Sequence, residues 1–231
     1  MKKVLLYSGG MDSYLISKLW EPDVKLYVDL KSRYSQQEIN NLPADVKVVE
    51  LDLGKWERPD AIIPLRNLYL AMVATNYGDE ICLGATAGDR VLDKSYKFAD
   101  LASNLLSYLY SPQHWTQGRT IKINLDFKGL TKEELLKLYI DKGGDINTAW
   151  KESYSCYSGN KEPCFCCKAC IRKSAAFFSN GFKDFKPAHI HSLCLALEPI
   201  IAQINNGSYG RGQREENLLK EFYKWLQEQK L

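Results

Sequence analysis

Long apolar runs are missing from this 231-residue chain. None approaches the ~20 residues that a helix needs to cross a bilayer. The run after Met1-Lys2-Lys3 is too short for a secretory signal. A strong charge of either sign is also missing. The formal net charge is +3, so neither nucleic acid nor a membrane surface is indicated as a partner. There is no internal repeat and no low-complexity tract. What is present is enough apolar material for a core, 45% of residues, which excludes an intrinsically disordered chain. The length fits one medium domain, or one domain with an appendage. Cysteine is not scarce. There are seven, and without a secretion signal they point to a reducing, cytoplasmic setting, where clustered cysteines suggest metal rather than disulfides.

Two familiar phosphate-binding patterns are absent as well. The chain has no Gly-Lys-Ser/Thr ending of a Walker A loop, and no Gly-x-Gly-x-x-Gly. It has instead Tyr7, Ser8, Gly9, Gly10, Met11, Asp12 and Ser13, directly after the apolar run Val4-Leu5-Leu6. The run predicts a buried strand and the paired glycines a turn. Asp12 or Ser13 is expected to cap a helix over Tyr14–Leu19. A strand, glycine turn and helix start form an anion site, because helix-end N–H groups and the helix dipole face the ligand.

Further strands are predicted at Lys25–Asp29, Asp45–Leu51 and Glu80–Leu83, with a short edge strand at Thr120–Asn124. Helical stretches alternate with them. One is short, Gln36–Asn41. One carries Leu65, Leu68, Tyr69, Met72 and Val73 at helical spacing. A third, Phe98–Tyr110, sets Phe98, Leu101, Leu105 and Leu109 on one face. Thr131-Lys132-Glu133-Glu134 is a capping box opening a helix that ends at Gly143-Gly144. Ala188–Ile204 and Glu215–Gln229 read as helices with apolar stripes, joined by a flexible Asn205–Gly212. Such alternation predicts an α/β fold, a Rossmann-like parallel sheet covered on both faces. Ligands bind beyond the carboxyl ends of such strands, so the turn at Gly9 and the loop from Gly84 to Asp93 should share one edge. The expected division is 1–150 for the nucleotide-binding α/β domain, 151–187 for a cysteine segment packed on it, and 188–231 for a helical tail.

Cys156, Cys164, Cys167 and Cys170 suit tetrahedral Zn²⁺ in a closed, structural site. Its binding free energy would fold a loop that lacks a core of its own. Cys166 is the spare, read as a free thiol. Cys82 and Cys194 read as small core residues.

Ser-Gly-Gly-x-Asp-Ser behind an N-terminal strand is similar to the signature of the PP-loop ATP pyrophosphatases, which have the adenine nucleotide alpha hydrolase-like fold. That resemblance implies cleavage of ATP between its α and β phosphates, with adenylation of a substrate. Ser8 and Ser13 would donate to phosphate oxygens, and Asp12 would help hold Mg²⁺ or fix the loop.

Taken with the cysteine quartet, the chain resembles the 7-cyano-7-deazaguanine synthases of queuosine biosynthesis over roughly Lys3–Asn180. Ile63-Pro64-Leu65-Arg66-Asn67 looks like the family's Val-Pro-Gly-Arg-Asn, and Leu83-Gly84 like its Thr-Gly. Glu152 through Gly159 is similar to its lead-in to the zinc site, and Arg172 also fits. The resemblance implies that ATP and ammonia convert 7-carboxy-7-deazaguanine first to an amide and then to a nitrile. Arg66, Asn67 and Gly84 would line the nucleotide or substrate site. Arg66 would meet phosphate or carboxylate, or else is a helix-start arginine in solvent.

Three loops depart from the family pattern: Leu53–Ile63 is short, the loop through Asp89 and Asp93 is short, and Asp29-Leu30-Lys31-Ser32-Arg33 replaces Asp-Tyr-Gly-Gln-Arg. Asp89 and Asp93 are candidates for a metal or for the guanine-like edge of a substrate, the competing reading being a solvated turn. Three alternatives to the synthase stay open: a PP-loop ligase that stops at the amide or takes another carboxylate, a tRNA-thiolating enzyme, and a non-catalytic zinc module. The small-molecule carboxylate and ammonia come from outside the chain. A homodimer is expected, with the tail helices serving packing or dimer contacts.

Overall fold

The computed structural model describes residues 1–158 and 162–229. Gly159, in the lead-in to the cysteine quartet, lies outside the described residues. Contacts divide the chain into two units. Met1–Ala85 with Asp89–Gly129 make the first, and Thr86–Gly88 with the chain from Leu130 onward make the second.

The first unit holds β1 (Lys3–Leu6), β2 (Val24–Asp29), β3 (Lys47–Glu50), β4 (Glu80–Cys82) and β5 (Lys122–Asn124). They form one sheet in the order β3-β2-β1-β4-β5, every pair parallel. Side chains alternate in direction along a strand. Val4, Leu26, Val28, Ile81 and Ile123 thus share a core cluster with Ala71, Ala74, Ala99, Ala102 and Leu106. Their neighbours Leu5, Tyr27, Cys82 and Asn124, which take the other face, are buried too. Burial on both faces explains why the strands read as unbroken apolar runs.

The helices of this unit are α1 (Met11–Trp20), α2 (Ser35–Ile39), α3 (Arg66–Ala74) and α4 (Tyr96–Leu109). Two differ from expectation. First, α1 starts at Met11, three residues early, with Gly10 as its N-cap and no side chain in the capping role expected of Asp12 or Ser13. Second, of the apolar face read on α4 only Phe98 packs on the core; Leu101 is 60% and Leu105 48% exposed, while Ala99, Ala102 and Leu106 are buried. The reason lies at the sheet edge. The Ser103 hydroxyl accepts the Ile123 N–H at 2.8 Å, and that of Ser107 accepts the Ile121 N–H at 2.9 Å. Small alanines let α4 come close enough for its serines to seal a strand edge that would otherwise present open N–H groups.

The second unit holds α5 (Lys132–Asp141), α6 (Ile146–Glu152), α7 (Lys168–Ser179), α8 (Pro187–Asn205) and α9 (Gln213–Glu228). The capping box of α5 is formed as expected, with Thr131 and Glu134 exchanging bonds. Neither α6 nor α7 is anticipated by the sequence. A cage of rings holds them together, Trp150 lying 4.5 Å from Phe182 and 5.0 Å from Phe177 between centroids. The stripes of α8 and α9 pack inward through Leu193, Leu197, Ile200, Leu219, Phe222 and Leu226, all buried. The segment after α8 is held rather than free: the Ser208 N–H donates to the Gln203 carbonyl at 2.9 Å and Arg211 reaches Gly88. Among the described residues, no helix is long and apolar enough to cross a membrane.

Candidate functional site

The turn after β1 is built from main chain and hydroxyls. Gly9 has φ +74°, a left-handed conformation that costs glycine nothing. Gly10 takes an ordinary extended conformation, so the turn itself requires only one glycine. The Ser13 hydroxyl closes the loop, accepting the Ser8 N–H at 3.3 Å and donating to the Gly10 carbonyl at 3.0 Å. Tyr7 and Met11 are buried on either side, and Asp12 is half-buried in the first turn of α1. A helix start with no side-chain cap concentrates N–H dipoles on the turn, which suits an oxyanion.

β1 lies between β2 and β4, the point where successive strands change direction of addition. The crevice at such a point takes ligands. Gly84, just past β4, has φ +64°, and a Cβ built on it would find the Leu6 carbonyl nearest, at 3.8 Å. The two glycine turns therefore flank the same end of two adjacent strands.

Arg66 and Asn67 open α3. Asn67 is buried and Arg66 exposed. The Asn67 N–H donates to Asp93 Oδ2 at 3.2 Å, so the Gly84–Asp93 loop and the start of α3 are joined directly. Asp89 pairs with Lys94 at 3.0 Å, and its carbonyl accepts from Lys128 Nζ at 2.8 Å. Burial, with Lys94 close by, lowers the Lys128 ammonium from its usual value. Each aspartate thus has a specific partner, Asp93 a helix start and Asp89 a lysine. Among the described residues, neither belongs to a group of three or more metal-ligating side chains.

Sequence reasoning missed Glu38, Lys94 and Lys128. Glu38 accepts the Tyr27 phenol at 2.8 Å. Burial raises its pKa, while the Tyr27 hydrogen bond and the charge of Arg66 work the other way. Nearby, Asp29 is held below the usual carboxylate range. Burial opposes its ionisation, but the Lys31 ammonium and N–H outweigh that. No motif marks these residues, because their partners are separated by turns of unrelated sequence.

In the second unit, Cys156, Cys164, Cys167 and Cys170 bring four Sγ atoms within 4.8 Å of one another. A tetrahedral Zn²⁺ with ~2.3 Å bonds sets its sulfurs ~3.8 Å apart, and the Sγ atoms of Cys164 and Cys170 are 3.9 Å apart. Backbone N–H groups of Ser158, Cys164, Cys167 and Cys170 each point at a cluster sulfur at 3.3–3.4 Å, as thiolates require. Cys167 also caps α7 through the Cys170 N–H. A hydrogen bond from the Cys170 thiol pulls Cys167 down to about 4, and Cys170 is pushed up in return. These residues fit a structural zinc. Cys166 is exposed, and Cys82 and Cys194 are buried. Burial pushes the Cys82 thiol up to about 12, which makes it a poor nucleophile.

A family model described as "Queuosine biosynthesis protein QueC" matches residues 40–181. A 7-cyano-7-deazaguanine synthase of Prochlorococcus marinus (strain AS9601) is 26% identical over 219 residues, covering 75% of this chain and 92% of the relative. One from Archaeoglobus fulgidus is 26% identical, covering 80% and 89%. One from Methanobrevibacter smithii is 29% identical, covering 65% and 64%. No solved structure matches significantly. With more than half its length matched by the family model, and with the parallel sheet and cysteine quartet in place, the chain belongs to the QueC family of queuosine biosynthesis proteins.

Proposed function

We propose that this protein is an ATP-dependent 7-cyano-7-deazaguanine synthase that works through adenylated intermediates. The observation that carries the reading is its alignment over 92% of the length of a relative with that name. The oxyanion turn at the sheet's switch point adds the means of handling ATP.

In the first step, a carboxylate oxygen of 7-carboxy-7-deazaguanine attacks the α phosphorus of ATP. An acyl adenylate forms and pyrophosphate leaves. Ammonia adds at the acyl carbon, AMP departs, and a proton is lost to give the amide. The amide oxygen then attacks the α phosphorus of a second ATP, a second pyrophosphate leaves, and loss of AMP and two protons gives the nitrile. The residues do what their chemistry allows. The Ser8–Ser13 turn would hold the leaving pyrophosphate, stabilising charge as it develops. Arg66, at the start of α3 beside the Asp93-anchored loop, would meet the carboxylate or the α phosphate with its planar fork. Asp12 is the residue to hold Mg²⁺, whose charge would offset that of the phosphates. Zn²⁺ in the cysteine quartet would have a structural role only.

The test is incubation with ATP, Mg²⁺, ammonium and 7-carboxy-7-deazaguanine, with products identified by mass. Nitrile, AMP and pyrophosphate are expected. Absence of AMP and pyrophosphate overturns the adenylation mechanism. Amide without nitrile restricts the protein to a ligase, and the Lys31 and Asp89 loops, which depart from the family pattern, are where that restriction would arise.

A further inference from the structure

One carboxylate oxygen of the second unit accepts one hydrogen bond and has two guanidinium groups close by. Glu215 Oε1 lies 2.7 Å from the Tyr209 hydroxyl, 3.1 Å from Arg172 Nε and 3.4 Å from Arg211 Nε. Arg211 also donates through Nη2 to the Gly88 carbonyl at 2.6 Å. Four stretches of chain far apart in sequence therefore meet here: the loop at Gly88, helix α7, the Tyr209–Arg211 segment and the first turn of α9. They fit closely. A Cβ on Gly88 would stand 2.9 Å from Glu215 Oε2 and 3.3 Å from Arg211 Nη2.

The charges do not balance. Two guanidinium groups face one carboxylate, and Glu215 is the only acid paired with either arginine among the described residues. The side chains of Arg172 and Glu215 are each 17% exposed and that of Arg211 24%. Both Nε–H groups are buried and make no well-formed hydrogen bond, although the carboxylate is close. A part-buried surplus cation with unfilled donors is costly unless an anion completes it. The cysteine quartet is not that anion. Lys173, three residues on from Cys170, is buried and donates to the Trp150 and Ser153 carbonyls. Arg172, at i+2, lies on a different face of the helix.

We propose that Arg172 and Arg211 form an oxyanion-binding site, in which Glu215 is an internal carboxylate that holds the place of a ligand phosphate or carboxylate group. Tyr209, hydrogen-bonded to Glu215, fixes the site's wall. Arginine forks are the usual partners of both groups. The choice between the two rests on the proposed reaction, which handles both. The site itself stands on geometry alone.

The test is equilibrium binding to the full-length zinc-loaded protein, without turnover, in separate titrations with inorganic pyrophosphate and with 7-carboxy-7-deazaguanine. Arg172→Gln and Arg211→Gln should each weaken one of these ligands at least tenfold, and the ligand affected identifies the source of the oxyanion. Glu215→Gln removes the internal competitor and should tighten the same ligand at least tenfold, with a larger ligand-induced rise in melting temperature than in the unsubstituted protein. If the arginine variants do not fold, the Glu215→Gln measurement decides. Affinity within twofold of the unsubstituted protein in Glu215→Gln overturns the site. Absence of turnover in the product assay, with these binding shifts intact, would overturn the proposed reaction and leave the site standing.

Discussion

Asp93 Oδ2 accepts the backbone N–H of Asn67 at 3.2 Å, across 26 residues. It does for α3 what a capping side chain does, because Leu65 at the N-cap position has only a hydrocarbon to offer and takes φ 58°. Asp93→Ala should cost about 1 kcal/mol, the usual value of a lost N-cap, measured by urea unfolding. Asp93→Asn keeps an acceptor and should recover most of it. If Arg66 acts as proposed, Asp93→Ala should also lower kcat/KM, since the start of α3 carries that arginine.

Arg66→Lys keeps the charge but loses the fork. Its kcat/KM for AMP formation should fall roughly 10–100-fold, the worth of one hydrogen bond to a charged group. Full activity would show Arg66 to be a solvent-facing helix-start residue.

Zinc binding by the cysteine quartet, if present, separates the four candidate ligands from their spare neighbour. Cys164→Ser should lose the bound zinc and lower the melting temperature, whereas Cys166→Ser should retain one zinc per chain by metal analysis. Chelation should unfold the segment that leads into α7, since its binding free energy is also folding free energy.

Inversion of the α4 face has a sharp consequence. Leu105→Gln, on the exposed side, should change stability by no more than about 0.5 kcal/mol. Ala102→Leu, on the small-residue side, should cost about 1–3 kcal/mol by overpacking. Chemical denaturation of both variants checks this, and the reverse order would restore the leucine face as core.

Glu38 adds a pH dependence. Burial raises its pKa in the folded state, so across the window between the ordinary carboxylate value and the raised one the folded state binds more protons than the unfolded. Stability from this group therefore falls as pH rises through that window. Glu38→Gln should be more thermostable than the unsubstituted protein at pH 8, with the difference closing on acidification below the carboxylate range. Melting curves at pH 3 and pH 8 test it.

The sheet was legible because strands buried on both faces write themselves as apolar runs, as at Val4-Leu5-Leu6. The turn at Gly9 was legible because paired glycines between an apolar run and a helical stretch mark a strand–turn–helix. The cysteine quartet was legible from its spacing. What stayed hidden depended on distance or on competition. α7 begins directly after Cys167 and carries Cys170 in its first turn, so its helical period is masked by cysteines. The orientation of α4 is decided by Ser103 and Ser107, whose value appears only when the β5 edge is beside them. The start of α1 moved to Met11 because Gly10 can serve as N-cap without a side chain. The pairing of Arg211 with Gly88 spans 123 residues, and nothing local in either stretch announces it.

The position of β1 bears on how the protein is made. Among the described strands, the one that comes first along the chain is the middle one of the sheet. One of its edges is filled by β2 about 20 residues later, but the other must wait for β4, which pairs Leu5 with Cys82. Until then an apolar strand stands with an open edge, a setting that favours aggregation. Contacts of such sequence separation also slow folding. The glycine turn after β1 can meet the turn at Gly84 only once β4 has taken its place beside that strand.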